Sequence, residues 1–354
     1  VGSEMCIRDS YRTEQILIWY EGGFFLNEID MDILSKYDLD IKKTYKGRGA
    51  VIINSDSKAY KLVPYNKTLC RLQFVNEMLK HIKKQGFENV DVVIENKEGE
   101  LISTNEFQES YIVKEWYEGV ECDVRNSKNV LYGIETLALL HTQMKECSMD
   151  YNGVLPETPS FIYEYDRHIK ELKKIRAFMR GRNRKSSFEY DALLHFDEYY
   201  DIALRAKEKL NNTRYEELEN KCRENHTFCH GNYNYHNIIF LDDKIAVINF
   251  EKAGIGLQIK DLYFYMRKVL EKYSWNIELG YNMLERYNKI CPITKEEHNI
   301  LMVMLEFPEK FWKVVNQYYN GNKSWIPDKN IEKLNTVYTQ QQKKEAFINK
   351  LWDM

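Results

Sequence analysis

The stretch CHGNYNYHNIIFLDDKIAVINFE, Cys229–Glu251, narrows the possible folds more than any other part of the sequence. His230-Gly231 opens a loop that Asn237 closes. Ile238–Phe240 and Ile245–Ile248 then read as two short strands turning at Asp242-Asp243, and Asn249, Phe250 and Glu251 follow at once. Asp261, a good N-cap type, stands at the start of the next helical pattern. Two loops and a hairpin at this spacing are hard to obtain by chance. The pattern is that of a catalytic loop whose expected carboxylate, at its third position, is replaced by Asn232.

The rest of the chain divides around this stretch. TEQILIWYEGGF reads as a short helix from Thr13, stopped at Gly22-Gly23. From Asp40, DIKKTYKGRGAVIINSDSKAYKLVPY reads as three short strands, turning at Gly47/Gly49 and at Asn54–Ser57. Leu69, Leu72, Val75, Leu79 and Ile82 then recur at three- and four-residue steps, predicting an amphipathic helix stopped at Gly86. NVDVVIENKEGELI predicts a hairpin turning at NKEG, and ESYIVKEWYEG a last strand entering a linker at Glu118-Gly119. Helical patterns dominate beyond it. One carries Val130, Ile134, Leu137 and Leu140-His141; another ends in the basic cluster Arg176, Arg180, Arg182, Arg184 and Lys185, which reads as a solvated helix end or a dock for an acidic partner. The order predicts an α+β chain of two lobes: a β-rich N-terminal lobe with one main helix over 11–117, and a larger, mainly helical lobe over 118–354. Residues 1–10 stand apart, because MCIRD at Met5–Asp9 matches what a sequencing-adaptor end encodes.

Composition excludes several classes. At 354 residues the chain can bury two cores. A net charge of −3 does not favour non-specific nucleic-acid binding. No apolar run approaches the roughly 20 residues needed to span a bilayer, and no basic region with an apolar core marks a secretory signal. None of the seven cysteines forms a C-x-x-C pair, which argues against zinc and for free thiols in a reducing compartment. The 26 tyrosines fit an A/T-rich genome, or oxidative cross-linking in an insoluble assembly.

Phosphoryl transfer needs a backbone turn over the phosphates and a Lys held by a Glu. It also needs a carboxylate for the acceptor hydroxyl, and an Asn with an Asp for Mg²⁺. Gly47-Arg48-Gly49 lies between two predicted strands, Lys61 sits within the third, and Glu77 lies mid-helix beyond it. Each is weak alone: a plain hairpin turn, a solvated edge lysine and a surface glutamate explain them as well. The pair of loops is the sharper signal.

The segments YKGRGA, YKLVPY, GELI, VKEWYEGVECDVRN, CHGNYNYHN, VINFEK and DLYFYMRK together resemble the aminoglycoside-phosphotransferase-like branch of the protein-kinase-like fold. Within it, the chain resembles the CotS-type spore coat proteins of endospore-forming bacteria, over about residues 37–330. The resemblance implies that Gly47–Gly49 form the phosphate-covering turn, that Lys61 and Glu77 form an ion pair, and that Lys114, Glu115 and Trp116 belong to a hinge beside an adenine pocket. It puts Asn232 at the catalytic-base position, and Asn237 and Asn249 at metal-ligand positions. His230, Asp261 and His141 take structural roles around the loop. It also implies synthesis in the mother-cell cytoplasm, deposition in the spore coat and other coat proteins as partners.

Two departures from that pattern bear on function. An amide such as Asn232 is not a useful base at neutral pH, and Asn249 offers Mg²⁺ a neutral oxygen where an anionic one is usual. The favoured reading is a pseudokinase acting as a structural or interaction component. The alternatives are a small-molecule phosphotransferase with a non-standard metal site through Glu251, and a module gated by ATP with weak or absent Mg²⁺.

Overall fold

The computed structural model describes residues 28–47, 50–56, 58–145, 149, 151, 153–320 and 327–352. The helix expected from Thr13, the segment 1–10 and Gly49 lie outside them. The chain forms two compact units: Val1–Asn76 with Asp91–Glu118, and Glu77–Val90 with Gly119–Met354. The sequence assigns the whole of the first long helix to the N-terminal lobe. Residues 77–90 instead group with the helical unit, where Val90 bridges Val247 in parallel and Val247 N–H donates to the Asn89 carbonyl at 3.0 Å.

The first unit contains α1 (Glu28–Ser35), β1 (Lys43–Gly47), β2 (Ala50–Asn54), β3 (Ala59–Pro64), the start of α2 (Leu69–Lys84), β4 (Val93–Ile94), β5 (Ser103–Thr104) and β6 (Ser110–Trp116). The strands form one antiparallel sheet in the order β1-β2-β3-β6-β4, with β5 also on β6. Alternation along β6 sorts its residues between two cores. Val113 joins Ile33, Leu34 and Tyr37 at α1, together with Val51, Ile53 and Leu62. Ile112 joins Leu72, Tyr65 and Val93. The NKEG turn forms, with Asn96 N–H donating to the Glu100 carbonyl at 2.8 Å. Its arms do not make the expected hairpin: β4 and β5 each pair with a different stretch of β6.

α2 ends as the sequence predicts. Gly86 adopts φ +96°, and Phe87 N–H returns to the Ile82 carbonyl at 3.2 Å. Its apolar stripe starts one turn late, however. Leu69 is exposed, and burial begins with Leu72 and is reinforced by Phe74 and Met78.

The second unit continues with β7 (Val120–Glu121), α3 (Ser127–Met144), α4 (Phe161–Gly181), α5 (Ser187–Asn211), α6 (Tyr215–Glu224) and β8 (Phe228–Cys229). Then come β9 (Ile238–Phe240), β10 (Ile245–Val247), β11 (Gly254–Ile255), α7 (Ile259–Leu270), α8 (Ile277–Ile290), α9 (Lys295–Glu306), α10 (Glu309–Asn320) and α11 (Pro327–Trp352). Local chemistry marks several starts: Asn126 caps α3, and the Ser186/Glu189 and Thr294/Glu297 capping boxes open α5 and α9. α3 packs on α8, α4 on α5, and α11 on α5 and α9. The basic end of α4 is largely used within the unit. Arg176 and Arg180 both bind Asp197, at 2.7 and 2.8 Å, and Arg182 lies 3.3 Å from Glu189. Among the described residues no helix is long and apolar enough to cross a membrane.

Two small sheets frame the loop of interest. β9 pairs with both β10 and β7, and β8 pairs with β11. The loop thus leaves β8 and enters β9 between two short anchored strands, beside a helix, α7, that is buried on nearly every face.

Candidate functional site

Asp261 organises the loop. It is fully buried at the third position of α7, and it does not cap that helix; the N-cap residue is Gln258. Its carboxylate turns to the loop and accepts backbone N–H bonds from His230 at 2.6 Å and Gly231 at 2.9 Å. Charge-assisted bonds of this kind are the strong ones. The same carboxylate receives His141 Nε2 at 3.3 Å, and Tyr287 O–H lies 2.6 Å from His141 Nδ1. Burial raises the Tyr287 phenol well above its ordinary value, so it stays protonated and donates to Nδ1. The imidazole thus bridges the Tyr287 hydroxyl and the Asp261 carboxylate through its two ring nitrogens. One buried chain thereby ties α8, α3 and α7 to the loop.

The loop's backbone follows from this anchor. Gly231 adopts φ +73°, and a Cβ there would lie 2.2 Å from the Lys252 carbonyl oxygen, so glycine is required twice over. His230 is buried, donates through Nε2 to the Ile248 carbonyl at 3.1 Å and accepts the Asn232 N–H on Nδ1 at 3.1 Å. Tyr233 is buried and donates to the Gly133 carbonyl at 2.7 Å, pinning the loop to α3. Asn234 accepts the His236 N–H at 3.1 Å and donates to the Asn232 carbonyl at 2.8 Å.

Asn237 and Asn249 meet. Asn237 Nδ2 donates to the Asn232 carbonyl at 2.9 Å, and a carbonyl can only accept, which fixes how the Asn237 amide is turned. Its Oδ1 therefore faces Asn249, whose Nδ2 donates to it at 2.8 Å. Asn249 adopts φ +68°, a left-handed conformation that Asn tolerates better than most residues. This N–H···O bond occupies one of the two acceptor positions of the Asn237 oxygen and turns the Asn249 amide nitrogen, not its oxygen, toward Asn237. The residues at these positions do not fit Mg²⁺ well: both are neutral amides where one or two carboxylates are usual, and the Asn249 nitrogen, not its oxygen, faces Asn237. Among the described residues no group of three His, Cys, Asp or Glu side chains could hold a metal ion. Asn232 is half-buried, Glu251 is half-buried in the turn after Asn249, and Asp242 and Asp243 are exposed at the β9–β10 tip.

In the first unit, Gly47 ends β1 and pairs with Ala50, the first residue of β2; Arg48 and Gly49 lie outside the described residues. Lys61, Lys114 and Trp116 share one face of the sheet, since Lys61 pairs with Lys114 and Ala59 with Trp116. The Lys61 ammonium sits 4.6 Å from the centre of the Trp116 ring. Lys114 is buried and bonded to Asp91 at 2.7 Å, so its charge is satisfied inside the unit. Glu115 points to the other face and takes Lys58 at 2.9 Å. In the second unit, Glu77 pairs with Lys80 at 3.0 Å, one turn along α2.

A small antiparallel β unit and a helical unit whose buried aspartate holds a His-Gly loop define the protein-kinase-like class. Solved structures agree on the fold. An aminoglycoside phosphotransferase from Alicyclobacillus acidocaldarius aligns with a TM-score of 0.79 at 18% identity, covering 91% of this chain and 94% of that one. A microcompartment-associated aminopropanol kinase aligns at 0.59 with 10% identity, covering 92% and 98%. A choline kinase from Cryptosporidium parvum aligns at 0.55 with 12% identity, covering 91% and 96%.

The particular family follows from the sequence itself. The model described as "Spore coat putative kinase YutH" matches residues 30–351, and the chain belongs to that family. Spore coat protein S of Bacillus subtilis (strain 168) is 23% identical over 166 residues, 46% of this chain and 47% of that protein. The match thus spans about half the length of that curated relative.

Several positioning residues escaped the sequence reading. Tyr287 lies 146 residues from His141, and Asp91 lies 23 from Lys114, so no local pattern links either pair. Tyr233 was readable only as one of many tyrosines.

Proposed function

We propose that the protein acts in the spore coat as a structural or interaction component with a kinase-like fold, and that it does not transfer phosphate. The observation that carries this reading is the Asn249-to-Asn237 hydrogen bond of 2.8 Å, which joins the two residues at the metal-ligand positions. Asn232 compounds it. General-base catalysis is worth roughly 10²–10⁴-fold, and an amide supplies none of it.

Family membership supports a spore-coat context, and the proposal includes synthesis in the mother cell, deposition in the coat and contact with other coat proteins. The loop's backbone is held by Asp261, Gly231 and Tyr233, none of which performs chemistry. A loop can therefore keep its shape as a binding surface after its reactive groups are gone.

The test is ATP turnover by purified protein beside the double variant Asn232→Asp, Asn249→Asp. The parent is expected to be silent and the double variant to gain Mg²⁺-dependent turnover. Steady phosphate release by the parent, abolished by Lys61→Ala, would overturn the reading. Loss of that release in Glu251→Gln would then favour a phosphotransferase that uses Glu251 on the metal.

A further inference from the structure

The helical unit has a cavity of about 480 Å³ bounded by the end of α7, the start of α10 and the middle of α11. None of the residues assigned to the loop lines it. Trp275, Phe307 and Phe311 form buried apolar walls. Five cationic side chains line the same space: Arg267, Lys272, Lys310, Lys333 and Lys344. Only two carboxylates do, Glu271 and Glu309.

Both carboxylates already have cationic neighbours. Glu271 accepts from Arg267 Nη1 at 2.5 Å and lies 3.4 Å from Lys310. Glu309 lies 3.1 Å from Lys313 and 3.5 Å from His168. Among the described residues Lys333 and Lys344 make no direct ion pair, although Glu271, Glu306 and Glu309 act on Lys344 at longer range. Lys344 reaches the Glu306 and Phe307 carbonyls at 3.1 and 3.0 Å, and Lys333 reaches the Gln317 and Asn330 amide oxygens, each at 3.5 Å, as its acceptors among the described residues.

Arg267 is the sharpest sign. It is 3% exposed, and beyond Nη1 its Nε and Nη2 have no hydrogen-bond acceptor among the described residues. Those two N–H groups form one edge of the guanidinium, the fork that carboxylates and phosphates bind through two oxygens. Burial pushes Lys344 down to about 8, with Glu271, Glu306 and Glu309 opposing and the Arg267 charge adding to it. Burial and the neighbouring Lys310 and Lys329 lower Lys333 as well. Burial is the main cause for both lysines, and an anion in the cavity would favour their charged forms.

We propose that this cavity binds a small organic anion through its phosphate or carboxylate oxygens, with Arg267 as the fork and Lys333 and Lys344 as flanking charges. The site is independent of whether the loop transfers phosphate.

Calorimetric titration of the full chain with pyrophosphate and, separately, with citrate tests it, against sodium chloride at matched ionic strength. Saturable binding at one site per chain is expected. A tighter pyrophosphate isotherm identifies a phosphoryl ligand, and a tighter citrate isotherm a polycarboxylate. Lys333→Gln is half-exposed and should fold. It should weaken binding about tenfold, the worth of one charge-assisted hydrogen bond. Lys343→Gln makes the same charge change on the exposed side of α11 and should leave binding unaltered. The proposal falls if neither anion saturates below about 10 mM, a free energy too small for a built site. It also falls if the two lysine variants weaken binding equally, the mark of diffuse surface charge.

Discussion

Replacing Asn249 alone by Asp tests the amide contact directly. The substitution keeps the side chain's shape and turns the donor of the 2.8 Å bond to Asn237 Oδ1 into a second oxygen. Asn237 is 5% exposed, and its Nδ2 remains committed to the Asn232 carbonyl, so it cannot turn to offer a proton. Losing the bond costs about 1 kcal/mol, and leaving a buried acceptor facing another oxygen costs about 1 kcal/mol more. For a unit of this size, about 2 kcal/mol lowers the melting temperature by about 4–8 °C in EDTA. Mg²⁺ should reverse the loss, because two facing oxygens, one anionic, suit a hard cation. At ten times its dissociation constant the ion returns about 1.4 kcal/mol. The assay is a thermal melt of parent and N249D, each in EDTA and in Mg²⁺. The reasoning is refuted if N249D melts with the parent in EDTA, or if the parent gains as much from Mg²⁺ as the variant.

Three further outcomes follow from the geometry. Gly231→Ala should destabilise by about 2–4 kcal/mol in urea titration, from its left-handed backbone and the clash with Lys252. Gly99→Ala, at φ +80° with nothing within 4 Å of the added Cβ, should cost only about 1 kcal/mol. Asp261→Asn turns one acceptor of the loop's N–H groups into a donor and should cost about 3 kcal/mol by denaturant midpoint. Burial would raise the Glu309 carboxyl, yet His168, Arg267 and Lys313 hold it down at about 2. A depressed folded pKa stabilises above the unfolded value, about 4.5, and that stability is lost as pH falls through about 2. Parent and Glu309→Gln should therefore differ by about 3 kcal/mol at pH 6 and converge toward pH 2 in acid-unfolding curves.

Much of this was legible because the signals are local. The three strands from Asp40, the Gly86 stop, the helix carrying Val130 to His141, and the β9–β10 hairpin each write their chemistry within a few residues. Errors arose where a distant partner decides. NKEG is a good turn, but β6 offers both arms better pairing than they offer each other. Asp261 is a good capping type, yet the unsatisfied N–H groups of His230 and Gly231 claim its carboxylate. Leu69 keeps the helical period but falls where nothing covers it. Asp91, which carries no motif of its own, could not be read as the partner of Lys114.

The joining of one α7 carboxylate to two consecutive backbone amides separates form from reactivity in this loop. Side chains at 232 and 249 contribute little to the path of the main chain at its entrance. The entrance of the loop is thus a fixed frame, and acids or metal ligands placed at 232 and 249 could be tested on it without rebuilding the main chain.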